Sequence, residues 1–173
     1  LIGKEAHMEP ISQPSRGPQR NKASRMAKQQ TVSSCGFDDF EKHVLHVSRY
    51  FFLAFSEPQS EAWIDAFRHA EQVFPVPFGA TIANAVLIAL NDMRQSRIRA
   101  FSYTNPHCVN CAQGITDEER YLILALQSIR RGTRGVAETN CMLLCEGGHS
   151  TKLLASLERI AIITGDVSKP RYN

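Results

Sequence analysis

Four of this chain's five cysteines fall in two short pieces, Cys108-Val109-Asn110-Cys111 and Cys141-Met142-Leu143-Leu144-Cys145. A C-x2-C, a spacer of 29 residues and a C-x3-C can close four thiolates around one tetrahedral ion. Core packing explains single buried cysteines but does not ask for two tight pairs. The spacing therefore predicts a metal centre on Cys108, Cys111, Cys141 and Cys145, with zinc as the expected metal and an iron–sulfur cluster as the alternative. Ala112 and Gly114 after the first pair approximate a metal knuckle, in which backbone amides point at the sulfurs. Cys141 and Cys145 stand at i and i+4, one turn apart on a helix face. His149, at i+8 on that stripe, and His107, immediately before Cys108, are alternative ligands. Readings without a metal are one or two disulfides, or four buried thiols. Cys35 is left over as a plain thiol, with a link between subunits as its alternative.

An odd cysteine count in a chain of 173 residues, 43% of them hydrophobic, argues against a disulfide scaffold, because such a chain can bury a core without cross-links. One domain is expected. No apolar run approaches the ~20 residues that span a bilayer, and residues 1–31 lack the apolar centre of a signal peptide. A cytoplasmic protein without membrane segments is the expectation. His7-Met8 reads as a cloning junction, so residues 1–7 are expected to be vector-derived.

Residues 1–34 are rich in Gln, Ser, Pro, Lys and Arg, with Pro10, Pro14 and Pro18 interrupting any helix. They read as a flexible basic arm, since they offer little apolar surface to offset ordering entropy. Residues 35–166 form the expected domain, and 167–173 a tail. An all-α fold of about six helices follows from apolar residues recurring at helical spacing, with no competing strand pattern. The first helix covers 37–55, with Phe37, Phe40, Val44, Leu45, Phe51, Phe52 and Phe55 inward. Ser56-x-x-Gln59 is read as a capping box for a second helix, whose inward stripe is Trp63, Ile64, Phe67 and Phe74 and which Pro75 and Pro77 end. A central apolar helix follows Gly79. Residues 101–115 are a loop carrying the C-x2-C. Thr116-x-x-Glu119 caps a helix running to Gly132, and further helices cover 136–146 and 151–164.

Two basic groups flank the cysteine loop: Arg94, Arg97 and Arg99 before it, and Arg130, Arg131 and Arg134 after it. Drawn together by a metal, they would offer phosphate, nucleic acid or an acidic partner one surface; kept apart, they offset helix dipoles. Asp39, His43 and His46 on the first helix and Glu61, Asp65 and His69 on the second could face each other as metal ligands, but neither helix carries the Glu-x-x-His of di-metal bundles. No nucleophile elbow, phosphate-binding loop, dinucleotide fingerprint or H-E-x-x-H is present, and nothing positive argues for an enzyme. The sequence thus reads as a metal-stabilised, zinc-bearing binding or regulatory module for a protein or nucleic-acid partner. A redox- or oxygen-responsive iron–sulfur protein and a nucleic-acid-binding regulator are the alternatives. A homo-oligomer is compatible with either.

Overall fold

The computed structural model describes residues 30–167. Most of the basic arm, the expected vector residues and the tail beyond Val167 lie outside them. Six α-helices make up the described part: α1 Asp39–Ser56, α2 Ala62–Val73, α3 Phe78–Ser96, α4 Asp117–Arg130, α5 Arg134–Leu144 and α6 Thr151–Val167. Three short 3-10 turns accompany them: Val32–Cys35 before α1, Pro58–Ser60 between α1 and α2, and Cys111–Gln113 between α3 and α4. Among the described residues no strand forms, only a single antiparallel bridge between Thr31 and Gly114. No helix there is long and apolar enough to cross a membrane.

α1 packs on α2, α3 and α4; α3 packs on α2 and α6; α4 packs on α5 and α6. One continuous core results, from Phe37 and Leu45 through Ile82, Leu90 and Met93 to Ile123, Leu126, Leu144 and Leu157. Two capping boxes start the helices that matter most here. Asp38 accepts from the Glu41 amide while the Glu41 carboxylate accepts from the Asp38 amide, opening α1; Thr116 and Glu119 do the same for α4. Each box satisfies two of the four amide donors that a helix start leaves unpaired.

Three expectations are corrected. Ser56 does not cap α2. It ends α1, with its hydroxyl on the Leu53 carbonyl, and Pro58–Ser60 forms a turn before α2 starts at Ala62. The fully buried positions of α2 are Ala62, Ala66 and Ala70; of the expected stripe, Phe74 is buried and Phe67 packs against the core, while Trp63 is 52% exposed. Close approach limits side-chain size at the end of α2: a Cβ on Gly79 at the start of α3 would meet the Glu71 Cα at 2.6 Å and the Ala70 carbonyl oxygen at 2.8 Å. Lastly, residues 30–34 do not belong with the arm. Ile115 donates its amide to the Gln30 carbonyl at 3.0 Å, and Val32 and Cys35 pack against the core.

Candidate functional site

The C-x2-C lies on the segment between α3 and α4, and a buried arginine of α1 holds it there. Arg49 and Glu119 are almost fully buried and form a two-pronged pair: Nε to Oε1 at 2.8 Å and Nη2 to Oε2 at 3.0 Å. The remaining guanidinium donors reach the cysteine loop, Nη1 to the Ala112 carbonyl at 2.7 Å and Nη2 to the Gly114 carbonyl at 2.6 Å. Glu119 also accepts from the amides of Thr104 and Thr116 and from the Thr104 hydroxyl. A buried charge pair is tolerated only when its other donors and acceptors are met in this way. Arg49 and Glu119 together therefore tie α1, α4 and both flanks of the loop to one point.

On that loop Cys108 and Cys111 are joined as a disulfide, with Cα atoms 5.2 Å apart. Hydrogen bonds shape the turn: the Cys108 amide donates to Asn105 O (3.3 Å), and the Ala112 amide donates to Cys108 O (2.8 Å). The Cys111 amide donates to Cys108 Sγ at 3.3 Å, so this sulfur keeps a donor that favours its thiolate when the bond opens. Cys111 and Val109 are exposed, and Cys108 is half-buried.

Beside the loop, α1 and α2 bring imidazoles together. The His46 and His69 ring centroids are 4.6 Å apart, and those of His43 and His69 5.6 Å. Tyr50 stands against His46 and, at 5.5 Å, against His107. His107 Nε2 lies 3.8 Å from Asp65 Oδ2. Burial, then the neighbouring His69, Arg49, His43 and His107, pushes His46 down to about 4. Burial and His43 lower His69, whose buried Nε2 has no hydrogen-bond partner. His46 and His69 are therefore neutral rings in contact at neutral pH.

The second cysteine pair lies elsewhere. Cys141 and Cys145, on and just after α5, are buried in the core as free thiols. Burial, followed by Cys145, Glu138 and Glu158, pushes Cys141 up to about 12; burial also raises Cys145. Both stay protonated and unreactive. The structure does not gather the two pairs, and among the described residues no group of three or more His, Cys, Asp or Glu is placed to hold a metal ion. His149 leaves the α5 stripe, because the helix stops at Leu144 and Glu146 (φ 54°) and Gly147 (φ 80°) turn the chain away through left-handed conformations. Cys35 is a half-buried thiol directed at the Thr31 carbonyl.

The six arginines also divide. Arg94, Arg97 and Arg99 gather where α3 ends, with Arg97 contacting Glu118 in the first turn of α4. Arg130 closes the far end of α4, about 20 Å away for a helix of this length. There it binds Asp38 and Glu41, both at 2.7 Å. Arg134 pairs with Glu138 and Glu158, and Arg131 is exposed. They form two separate groups rather than one surface.

No family model matches the chain, and no curated protein and no solved structure matches it. Arg49, and the pairing of the capping residue Glu119 with it, escaped the sequence reading. The only signal for them was a charge inside the apolar run of α1 and the capping-box spacing of Glu119.

Proposed function

We propose that this chain is a thiol–disulfide-responsive helical module, in which Cys108 and Cys111 exchange with thiols of a partner protein and present the loop in one of two states. The observation that carries this reading is the bonded pair itself, sited on a partly exposed turn that Arg49 braces from the core. A thiolate of the partner attacks Cys111 Sγ, the exposed side of the pair. The sulfur–sulfur bond breaks and its electrons leave on Cys108 Sγ, beside the Cys111 amide. A second partner thiol resolves the mixed disulfide, releasing the partner as a disulfide and leaving two thiols on the loop. The reverse course, with a partner disulfide, recloses the pair. The reducing cytoplasm is the compartment proposed for this exchange.

Zinc or an iron–sulfur cluster on all four cysteines is the competing proposal. It requires the Cys108–Cys111 bond to open and Cys141 and Cys145 to leave the core.

The test is trapping. In C108S, Cys111 remains as an exposed thiol and should form a mixed disulfide with oxidised glutathione, identified by peptide mass. Cys141 and Cys145 of the same native protein should stay unmodified. An inert Cys111, or a reduced wild-type protein that protects all four thiols by binding one metal ion, would refute the proposal.

A further inference from the structure

The ends of α1 and α3 and the segment 97–103 enclose an open cleft of about 380 Å³, within the range of sites that hold small organic ligands. One wall is aromatic. Phe52 and Phe101 are stacked with centroids 3.9 Å apart, Tyr103 lies nearly parallel to Phe52 at 5.8 Å, and the Tyr103 and Ser56 hydroxyls are 2.5 Å apart. The rim is cationic. The Arg94 guanidinium lies over the Phe55 ring at 4.0 Å and has no carboxylate partner among the described residues. The Arg99 side chain is 83% exposed and approaches Glu146 most closely through Nε, at 3.0 Å, and its two terminal nitrogens form no hydrogen bond among the described residues.

Arg97 differs from both. It is buried against the Leu144 carbonyl and stands near Glu118 and Glu146, so its charge is already matched. Offsetting the α3 dipole accounts for cations near Ser96. It does not account for a guanidinium placed over a ring at the mouth of an aromatic cleft. Ile98, 98% exposed, adds an apolar surface at the same rim.

We infer that this cleft binds a small phosphate ester carrying a planar ring, of the nucleoside monophosphate class. The forks of Arg94 and Arg99 take the phosphate oxygens, and the ring lies against Tyr103 under Ile98, since Phe52 and the Arg97 guanidinium already cover Phe101. Nothing in this assignment depends on the chemistry of the cysteine loop.

Isothermal titration of the full chain with adenosine and uridine monophosphates, ribose 5-phosphate and inorganic phosphate tests it. A nucleoside monophosphate should bind at least about tenfold tighter than inorganic phosphate, and R94A and R99A should each weaken it about tenfold. Binding should also fall with added salt. R131A, at the other end of α4, should leave affinity unchanged, and the melting temperature of R94A should match wild type because Arg94 is exposed. Three results would each overturn the assignment: no nucleotide binding at millimolar concentration, equal affinity for nucleotide and inorganic phosphate, or unchanged affinity in folded R94A.

Discussion

Arg49 of α1 and Glu119 of α4, 70 residues apart in the chain, meet through two hydrogen bonds of 2.8 and 3.0 Å with both side chains buried. The relation has a counterpart at the other end of the same helix pair. There Glu41, in the first turn of α1, takes Arg130 from the last turn of α4 at 2.7 Å. Each glutamate is the third residue of its helix and completes the capping box there. Helix start and interhelical pairing thus rest on the same carboxylate.

Replacing Arg49 with Met should destabilise the protein by about 3–5 kcal/mol, since it leaves the Glu119 charge buried and also releases the Ala112 and Gly114 carbonyls. Urea denaturation measures this. R49M/E119Q should cost less than the sum of the single changes, because the uncompensated charge is gone. A loss under about 1 kcal/mol in R49M would show that the pair does not brace the loop.

Arg130 is 22% exposed while Glu41 is buried, so water supports part of what Arg130→Gln removes. The expected cost is about 1–2 kcal/mol, below that of R49M. A double-mutant cycle with Glu41→Gln should show coupling between the two positions. Additive effects would contradict it.

Gly79→Ala should destabilise by about 1–3 kcal/mol, because the new methyl group would meet the backbone of Glu71 and Ala70, which cannot rotate aside. Thermal melting reads the effect. Gly135→Ala is the control, since nothing lies within 4 Å of a Cβ there.

Stability should fall as pH drops from about 6.5 toward 4. His46 has a folded value of about 4 against 6.5 for the free side chain, so in this window the unfolded chain binds the proton that the folded chain refuses. His69 shifts in the same direction. H46Q should flatten the dependence of melting temperature on pH between these limits. An unchanged slope would mean that the imidazole contacts do not exclude the proton.

Much of the architecture was legible because it is local. Six helices follow from apolar periodicity, and the start of α4 follows from Thr116 and Glu119, whose spacing alone specifies the capping box. What was not legible depends on how helices meet. Of the large residues expected inward on α2, Phe67 and Phe74 do face the core but Trp63 does not, and alanines take the most buried positions, with Gly79 of α3 against the backbone of Ala70 and Glu71. A lone arginine within an apolar run resembles a solvated charge until a carboxylate from another helix arrives. Helix spacing did allow His43 and His46 of α1 to face His69 of α2, as they do, but among the described residues they complete no group placed to hold a metal ion. Cysteine spacing located the pairs within the chain, yet whether two pairs meet depends on where the loop and α5 settle, and they settle apart.

Thiol–disulfide exchange at the loop is tested most directly by a titration of the full chain against glutathione redox buffers, with alkylation at each point and peptide mapping. Cys108 and Cys111 should pass together from alkylated to bonded as the buffer becomes oxidising, while Cys141 reacts only after denaturation. A pair that remains fully alkylated in the most oxidising buffer, or four thiols protected together in reduced, metal-bearing protein, would contradict the account.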